Sequence, residues 1–288
     1  MMDATSPTDT WRDHDVVVEG LRLRVRDAGS GPTLLLVHGL GADRRIWQGT
    51  IARFADRWRV VAVDLPGHGA SDKPDHSYTP EYFARVLRGL GSALQLTDVV
   101  VVGSSLGGRV TLELAASYPT WVRAIVLSAP APLFGSWWKP VGWALPALAG
   151  PDLLRWLLPR GILRGFFDPN VPGASLRYSL IADQLARDDF HEFARAIARS
   201  VGGIVSGDLP ALENVTQPVL LLWGHEDRVV SNSGALPLLA ALPQARLTLI
   251  ERCGHMPMLE QPDVFHAAVA EFLQTVQGPR VATAAGGT

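Results

Sequence analysis

Ser105, Asp227 and His255 are far apart in the chain, yet together they carry its sharpest chemical signal. Ser105 sits in Gly103-Ser104-Ser105-Leu106-Gly107, directly after four valines and before a helix-forming run. A strand, a sharp turn and a helix with serine at the apex is the G-x-S-x-G arrangement, which holds a hydroxyl clear of the backbone. Side chains at positions 103 and 107 would collide with the neighbouring strand and helix, hence the glycines. The hydroxyl then stands at a helix N-terminus, where a developing oxyanion is welcome. The bland alternative is a serine N-cap in a Gly-rich turn, and the flanking strand and helix weigh against it.

Such a serine needs a base, and the base needs an orienting acid. An apolar run at 219–223 ends in Gly224-His225-Glu226-Asp227, and another at 246–250 ends in Glu251-Arg252-Cys253-Gly254-His255. Both segments follow the carboxyl end of an expected buried strand, the edge where sites in open α/β sheets are built. Ser105 is therefore read as nucleophile, His255 as general base and Asp227 as the acid that orients it. Glu226 is the alternative acid, disfavoured by its longer side chain. Cys253 has no base of its own, and His225 reads as a surface loop residue.

The elements that must position these groups follow from hydrophobic rhythm. Alternating runs at 16–19 and 21–26, with Gly20 at the turn, predict a hairpin on a sheet edge. Continuous β-branched and leucine runs at 33–37, 60–63, 99–102, 124–127, 219–223 and 246–250 predict strands covered on both faces. Helices are expected at 80–96, 106–118, 233–241 and 262–276, with Pro80 and Pro262 in first-turn positions. Alternating strand and helix means an α/β fold, a mostly parallel central sheet with helices on both faces. The alternation fails once, between about residues 131 and 207, where aromatic and helical segments replace any strand. There, residues 176–201 predict one amphipathic helix. The expected organisation is a core from 15–130 and 208–277, a helical cap from 131–207, and tails at 1–14 and 278–288.

Here the chain resembles the α/β-hydrolase superfamily with an inserted helical lid. Besides the three segments above, His38-Gly39-Leu40-Gly41 matches the family's oxyanion loop, and Asp64-Leu65-Pro66-Gly67-His68-Gly69-Ala70-Ser71 matches its structural loop. The resemblance favours Asp227 over Glu226, and it implies that the backbone N–H groups of Leu40 and Leu106 hold the oxyanion. His38 is then expected to brace its loop, and His68 with Asp64 to pin theirs. Serine at the elbow departs from dehalogenases and epoxide hydrolases of this fold, which use aspartate there. Carbon–carbon hydrolases of the family usually carry Asn before the nucleophile and Trp after the histidine. This chain has Ser104 and Met256 in those places.

The lid aromatics, with Trp137 and Phe166 foremost, and Trp47 nearby are expected to border an apolar substrate pocket. The expected activity is cleavage of a lipophilic carboxylic ester, in the manner of a carboxylesterase or lipase. The alternatives are a carbon–carbon hydrolase, lactonase, thioesterase or cofactor-free perhydrolase on the same triad, and a non-catalytic ligand-binding protein on this fold.

Composition narrows the partners. A net charge of −2 at pH 7 and scattered Lys and Arg give no basic stripe for a nucleic-acid backbone. The one cysteine, Cys253, allows no internal disulfide and no cysteine-based metal site. No His/Asp/Glu spacing suggests a metal, and no glycine pattern fits a dinucleotide, so no cofactor is expected. The N-terminus lacks a basic-then-apolar leader, and the most apolar stretch is broken by Pro146, Pro151, Asp152 and Arg155. A cytoplasmic protein with no integral membrane association is the expectation.

Overall fold

Valine and leucine runs too short for helices form the centre of the molecule. The computed structural model describes residues 11–131, 179–180, 182–184, 186–206, 208 and 210–277. Eight strands form one sheet: β1 Trp11–Val18, β2 Leu21–Ala28, β3 Thr33–Val37, β4 Arg59–Val63, β5 Val99–Ser104, β6 Val122–Ser128, β7 Val219–Gly224 and β8 Ala245–Ile250. Their order is β1-β2-β4-β3-β5-β6-β7-β8. The β1–β2 and β2–β4 pairs are antiparallel, and every pair from β4 to β8 is parallel.

Alternate residues of a strand face opposite sides, so each inner strand feeds two cores. Leu35, Val37, Val61, Val63 and Val101 point into the first, against α2 (Pro80–Ala93) and α3 (Leu106–Ser117). Leu34, Leu36, Val60, Ala62, Val100 and Val102 point into the second, against α1 (Gln48–Phe54) and the helix at Pro262–Val276. Full burial of each of these valine and leucine side chains is worth roughly 1.5–3 kcal/mol, which fixes the strand register. Because β3 to β8 run parallel, the loops after β3, β5, β7 and β8 all emerge at one edge of the sheet.

Among the described residues, α4 (Phe190–Ser206), α5 (Ala235–Ala241), α6 (Pro257–Glu260) and α7 (Pro262–Val276) follow, with further helical residues at 179–180 and 182–184. The long helix expected at 176–201 is in fact broken. Residues 186–189 form a turn, and α4 begins only at Phe190. Asp188 and Asp189 favour helix starts over interiors, and Asp189 turns its carboxylate to Arg187 at 2.6 Å and to Lys73 at 2.9 Å. α4 then packs on the loop between β4 and α2. A Cβ at Gly203 would strike the carbonyl of Tyr78, and Phe193 sits edge-on to His68 with ring centroids 6.3 Å apart.

A second difference lies at the N-terminus. Residues 11–14, expected as part of a tail, belong to β1, with Trp11 paired to Ala28. Charge holds this stretch: Asp13 bridges Arg26 at 2.6 Å and Arg44 at 2.7 Å. The expected tail at 278–288 and most of the expected cap, including Trp137 and Phe166, lie outside the described residues. Among the described residues no helix is long and apolar enough to cross a membrane.

Candidate active site

The turn between β5 and α3 is built by backbone contact. A Cβ at Gly103 would overlap the Gly107 carbonyl and the Thr111 hydroxyl, and one at Gly107 would overlap the carbonyls of Val37 and His38. With no room for side chains there, Ser105 is driven to φ 54 and ψ −115, a conformation that costs a non-glycine residue of order 1–3 kcal/mol. Three hydrogen bonds hold it. The Ser105 amide donates to the Ser128 carbonyl at 2.9 Å, while its carbonyl accepts from Ala131 at 2.9 Å and Arg109 at 3.1 Å.

The loop after β3 lies against this turn. A Cβ at Gly39 would sit 3.1 Å from Ser105 Cβ and 3.2 Å from the Ser104 carbonyl, so a side chain there would crowd the serine turn. Leu40 follows it, and Leu106 opens α3. Neither amide is paired with a backbone acceptor among the described residues. His38 fixes the loop from below. The Leu65 amide donates to its Nε2 at 2.9 Å, so Nδ1 carries the proton and donates to the Gly39 carbonyl at 2.8 Å. Burial lowers the His38 pKa, and both ring nitrogens are occupied.

The structural loop is held by Asp64, whose side chain is wholly buried. It accepts from the Arg44 amide at 2.7 Å, the Arg44 guanidinium at 2.8 Å and the Ala70 amide at 2.8 Å. His68 donates from Nδ1 to the Pro66 carbonyl at 3.0 Å, and burial depresses its pKa to about 3.

On the other side of β5, the loops after β7 and β8 meet backbone to backbone. A Cβ at Gly224 would overlap the carbonyls of Cys253 and Gly254. Across this contact His255 Nδ1 bonds Asp227 Oδ2 at 2.8 Å. The histidine is 11% exposed and the aspartate 0%. The other aspartate oxygen accepts from the amides of Val229 at 2.8 Å and Val230 at 3.0 Å. A carboxylate pinned in this way keeps the imidazole proton on Nδ1 and leaves the Nε2 lone pair as the acceptor. Ser105 Oγ has no hydrogen-bond partner among the described residues; the bond expected between a nucleophile and its base commonly tightens only when substrate is bound.

Glu226 turns away from this pair. Its side chain, 47% exposed, accepts from the Cys253 amide at 2.7 Å, and that backbone bond lowers its pKa. Trp47 is wholly buried beside Ile46 and Ile51, with its ring 6.4 Å from Phe265. It lies in the core face of the sheet and has no exposed surface.

Residues 34–268 match the alpha/beta hydrolase family. The chain belongs to that family. It is 28% identical to the 2-(acetamidomethylene)succinate hydrolase of Mesorhizobium japonicum over 94% of this chain and 99% of that protein. It is also 28% identical to the 2-hydroxymuconate semialdehyde hydrolase of Pseudomonas sp. strain CF600, over 90% of this chain and 93% of that one. Among solved structures, a bacterial membrane phospholipase A superposes with a TM-score of 0.74 at 28% identity, covering 93% of this chain and 87% of that one. As an alpha/beta hydrolase, the chain carries its mostly parallel sheet and its hydrolytic class with the family.

The structure joins Asp227 to His255 by a hydrogen bond and sets Ser105 on the same sheet edge. One buried group at the site went unremarked in the sequence: Glu260, on α6, accepts from the amides on both sides of His255. Its only signal was an acidic residue directly after the apolar stretch Met256-Pro257-Met258-Leu259, five positions past the histidine.

Proposed function

We propose that this hydrolase cleaves the carboxylic ester of a lipophilic small molecule through an acyl-enzyme intermediate. Ser105 Oγ attacks the ester carbonyl as its proton passes to His255 Nε2. Asp227 stabilises the imidazolium, and the amides of Leu40 and Leu106 receive the oxyanion. Collapse of the tetrahedral intermediate expels the alcohol, which takes the proton from His255. Water then repeats the sequence on the acyl-enzyme and releases the acid. The observation that carries this reading is the 2.8 Å His255–Asp227 bond, on the same sheet edge as a serine held at φ 54.

An apolar substrate is supported by Leu40 and Met256, half-buried side chains next to Gly39 and His255. It is supported as well by the structural likeness to a phospholipase. A helical cap over 131–207, with Trp137 and Phe166 along the cleft, completes the proposal, and cytoplasmic residence fits a chain with a single cysteine. A p-nitrophenyl ester series tests it. Each acyl CH2 buried is worth up to about 0.8 kcal/mol, roughly fourfold in kcat/KM, so specificity climbs from acetate to medium chains and then falls. Preference for acetate, unchanged in Trp137→Ala and Phe166→Ala, overturns the apolar cleft.

A second reading, a carbon–carbon bond hydrolase on the same triad, is supported by the similarity to the 2-hydroxymuconate semialdehyde hydrolase. Ser104 and Met256 weigh against it. Fast cleavage of a vinylogous diketone alongside weak ester turnover selects that reading instead.

A further inference from the structure

We propose that Glu260 is the positioning residue for His255: its buried carboxylate sets the loop that holds the imidazole between Asp227 and Ser105. The inference rests on the reading of His255 as general base.

Glu260 is 2% exposed, an unusual place for a carboxylate unless it is paired or hydrogen-bonded. Oε2 accepts from the Gly254 amide at 2.5 Å, and Oε1 accepts from the Met256 amide at 3.1 Å. The two oxygens therefore grip the backbone immediately before and immediately after His255. Glu260 is also tied through its own backbone, because its amide donates to the Met256 carbonyl at 2.9 Å. Gly254 completes the fit: a Cβ there would lie 2.9 Å from Glu260 Oε2, so a side chain at this position would push the carboxylate aside. A carboxylate is the one protein side chain that offers two equivalent acceptor oxygens and no donor, which suits two convergent N–H groups. The bond to Asp227 fixes one ring nitrogen of His255 but leaves the ring free to tilt about it. Fixing the backbone on both sides removes that freedom and aims Nε2.

Glu260→Gln keeps the size but has one acceptor oxygen and one NH2, so a donor must face one of the two amides. A loop shift of about 1 Å at a catalytic group can cost about 10²-fold in rate. With p-nitrophenyl butyrate, Glu260→Gln is expected to lower kcat by about that factor and leave KM within twofold. The low-field proton resonance of the His255 Nδ1–H should broaden or move. A merely structural glutamate would leave that resonance and the kcat-to-KM split unchanged. Gly254→Ala displaces the same carboxylate from the other side and should reproduce the effect, so the test survives if Glu260→Gln folds poorly. His255→Ala, measured in parallel, separates the two ideas. If His255→Ala is inactive while Glu260→Gln and Gly254→Ala keep full kcat and an unchanged resonance, Glu260 has no positioning role. If His255→Ala retains turnover, the base assignment itself is lost.

Discussion

The elbow at Ser105 and the loop at His255 differ in what holds their key groups, since the loop adds side-chain carboxylates to a close backbone contact at Gly224. The elbow is held by exclusion: glycines admit backbone atoms where side chains would stand, and the serine is forced into a left-handed conformation. The His255 loop is held by attraction, with Asp227 on the ring, Glu260 on two flanking amides and Glu226 on a third. Steric exclusion requires particular residue types at fixed spacing, so it can be read in a sequence. Carboxylates reaching back from other elements need no fixed spacing, and their roles emerge only when the chain is folded. Faults in the two regions should accordingly differ: at the elbow they disturb fold and rate together, at the loop mostly rate.

The largest effect is expected at the acid. Asp227→Asn keeps an oxygen for the amides of Val229 and Val230 but can bond the wrong tautomer of His255, so kcat should fall about 10⁴-fold with little change in Tm. Steady-state kinetics beside a thermal melt decides this; a parallel collapse of Tm would make Asp227 structural. Gly107→Ala comes next. Its Cβ meets the carbonyls of Val37 and His38, backbone that cannot turn aside. Overpacking of that kind costs about 1–3 kcal/mol, so Tm and kcat should both drop. Loss of rate alone would erase the contrast between the two regions.

A pH series sharpens the comparison through groups outside both. Burial holds His68 at a pKa of about 3 and His266 at about 4, against roughly 6.5 in an unfolded chain. The unfolded state therefore binds more protons below about 6.5, and each histidine withdraws up to about 1.4 kcal/mol of stability per pH unit until its folded pKa is reached. Tm should decline as pH falls from 6.5 towards 4, and His266→Gln should flatten the slope. An unchanged slope in that variant would mean that His266 takes up no proton on unfolding. Glu226→Gln is the smallest effect expected, about twofold or less in kcat/KM, because the site is half exposed and glutamine still offers an oxygen to the Cys253 amide. A fall as deep as that of Asp227→Asn would move the acid to Glu226.

Much of the fold was legible because buried parallel strands need continuous apolar runs, as at Val99–Ser104 and Val219–Gly224. The start of β1 was not, since Asp13 and its arginines hold it by charge and leave no hydrophobic alternation. The break before α4 was hidden for a related reason. The apolar spacing runs on through Leu180 and Phe193, while Asp189 answers to Lys73, more than a hundred residues earlier. α6 is a single short turn with too few residues for any period to register. In the site, the serine turn and the two loops after β7 and β8 announced themselves by glycine and strand context, whereas Glu260 looked like an ordinary acid.

The proposed chemistry stands or falls with Ser105 as the nucleophile of this alpha/beta hydrolase. Incubation with a fluorophosphonate and mass-spectrometric mapping of the adduct tests it most directly. One phosphonyl group is expected on Ser105, none in Ser105→Ala, with loss of esterase turnover in step with labelling. An adduct on Ser104, or a Ser105→Ala protein that still labels and turns over ester, would contradict it.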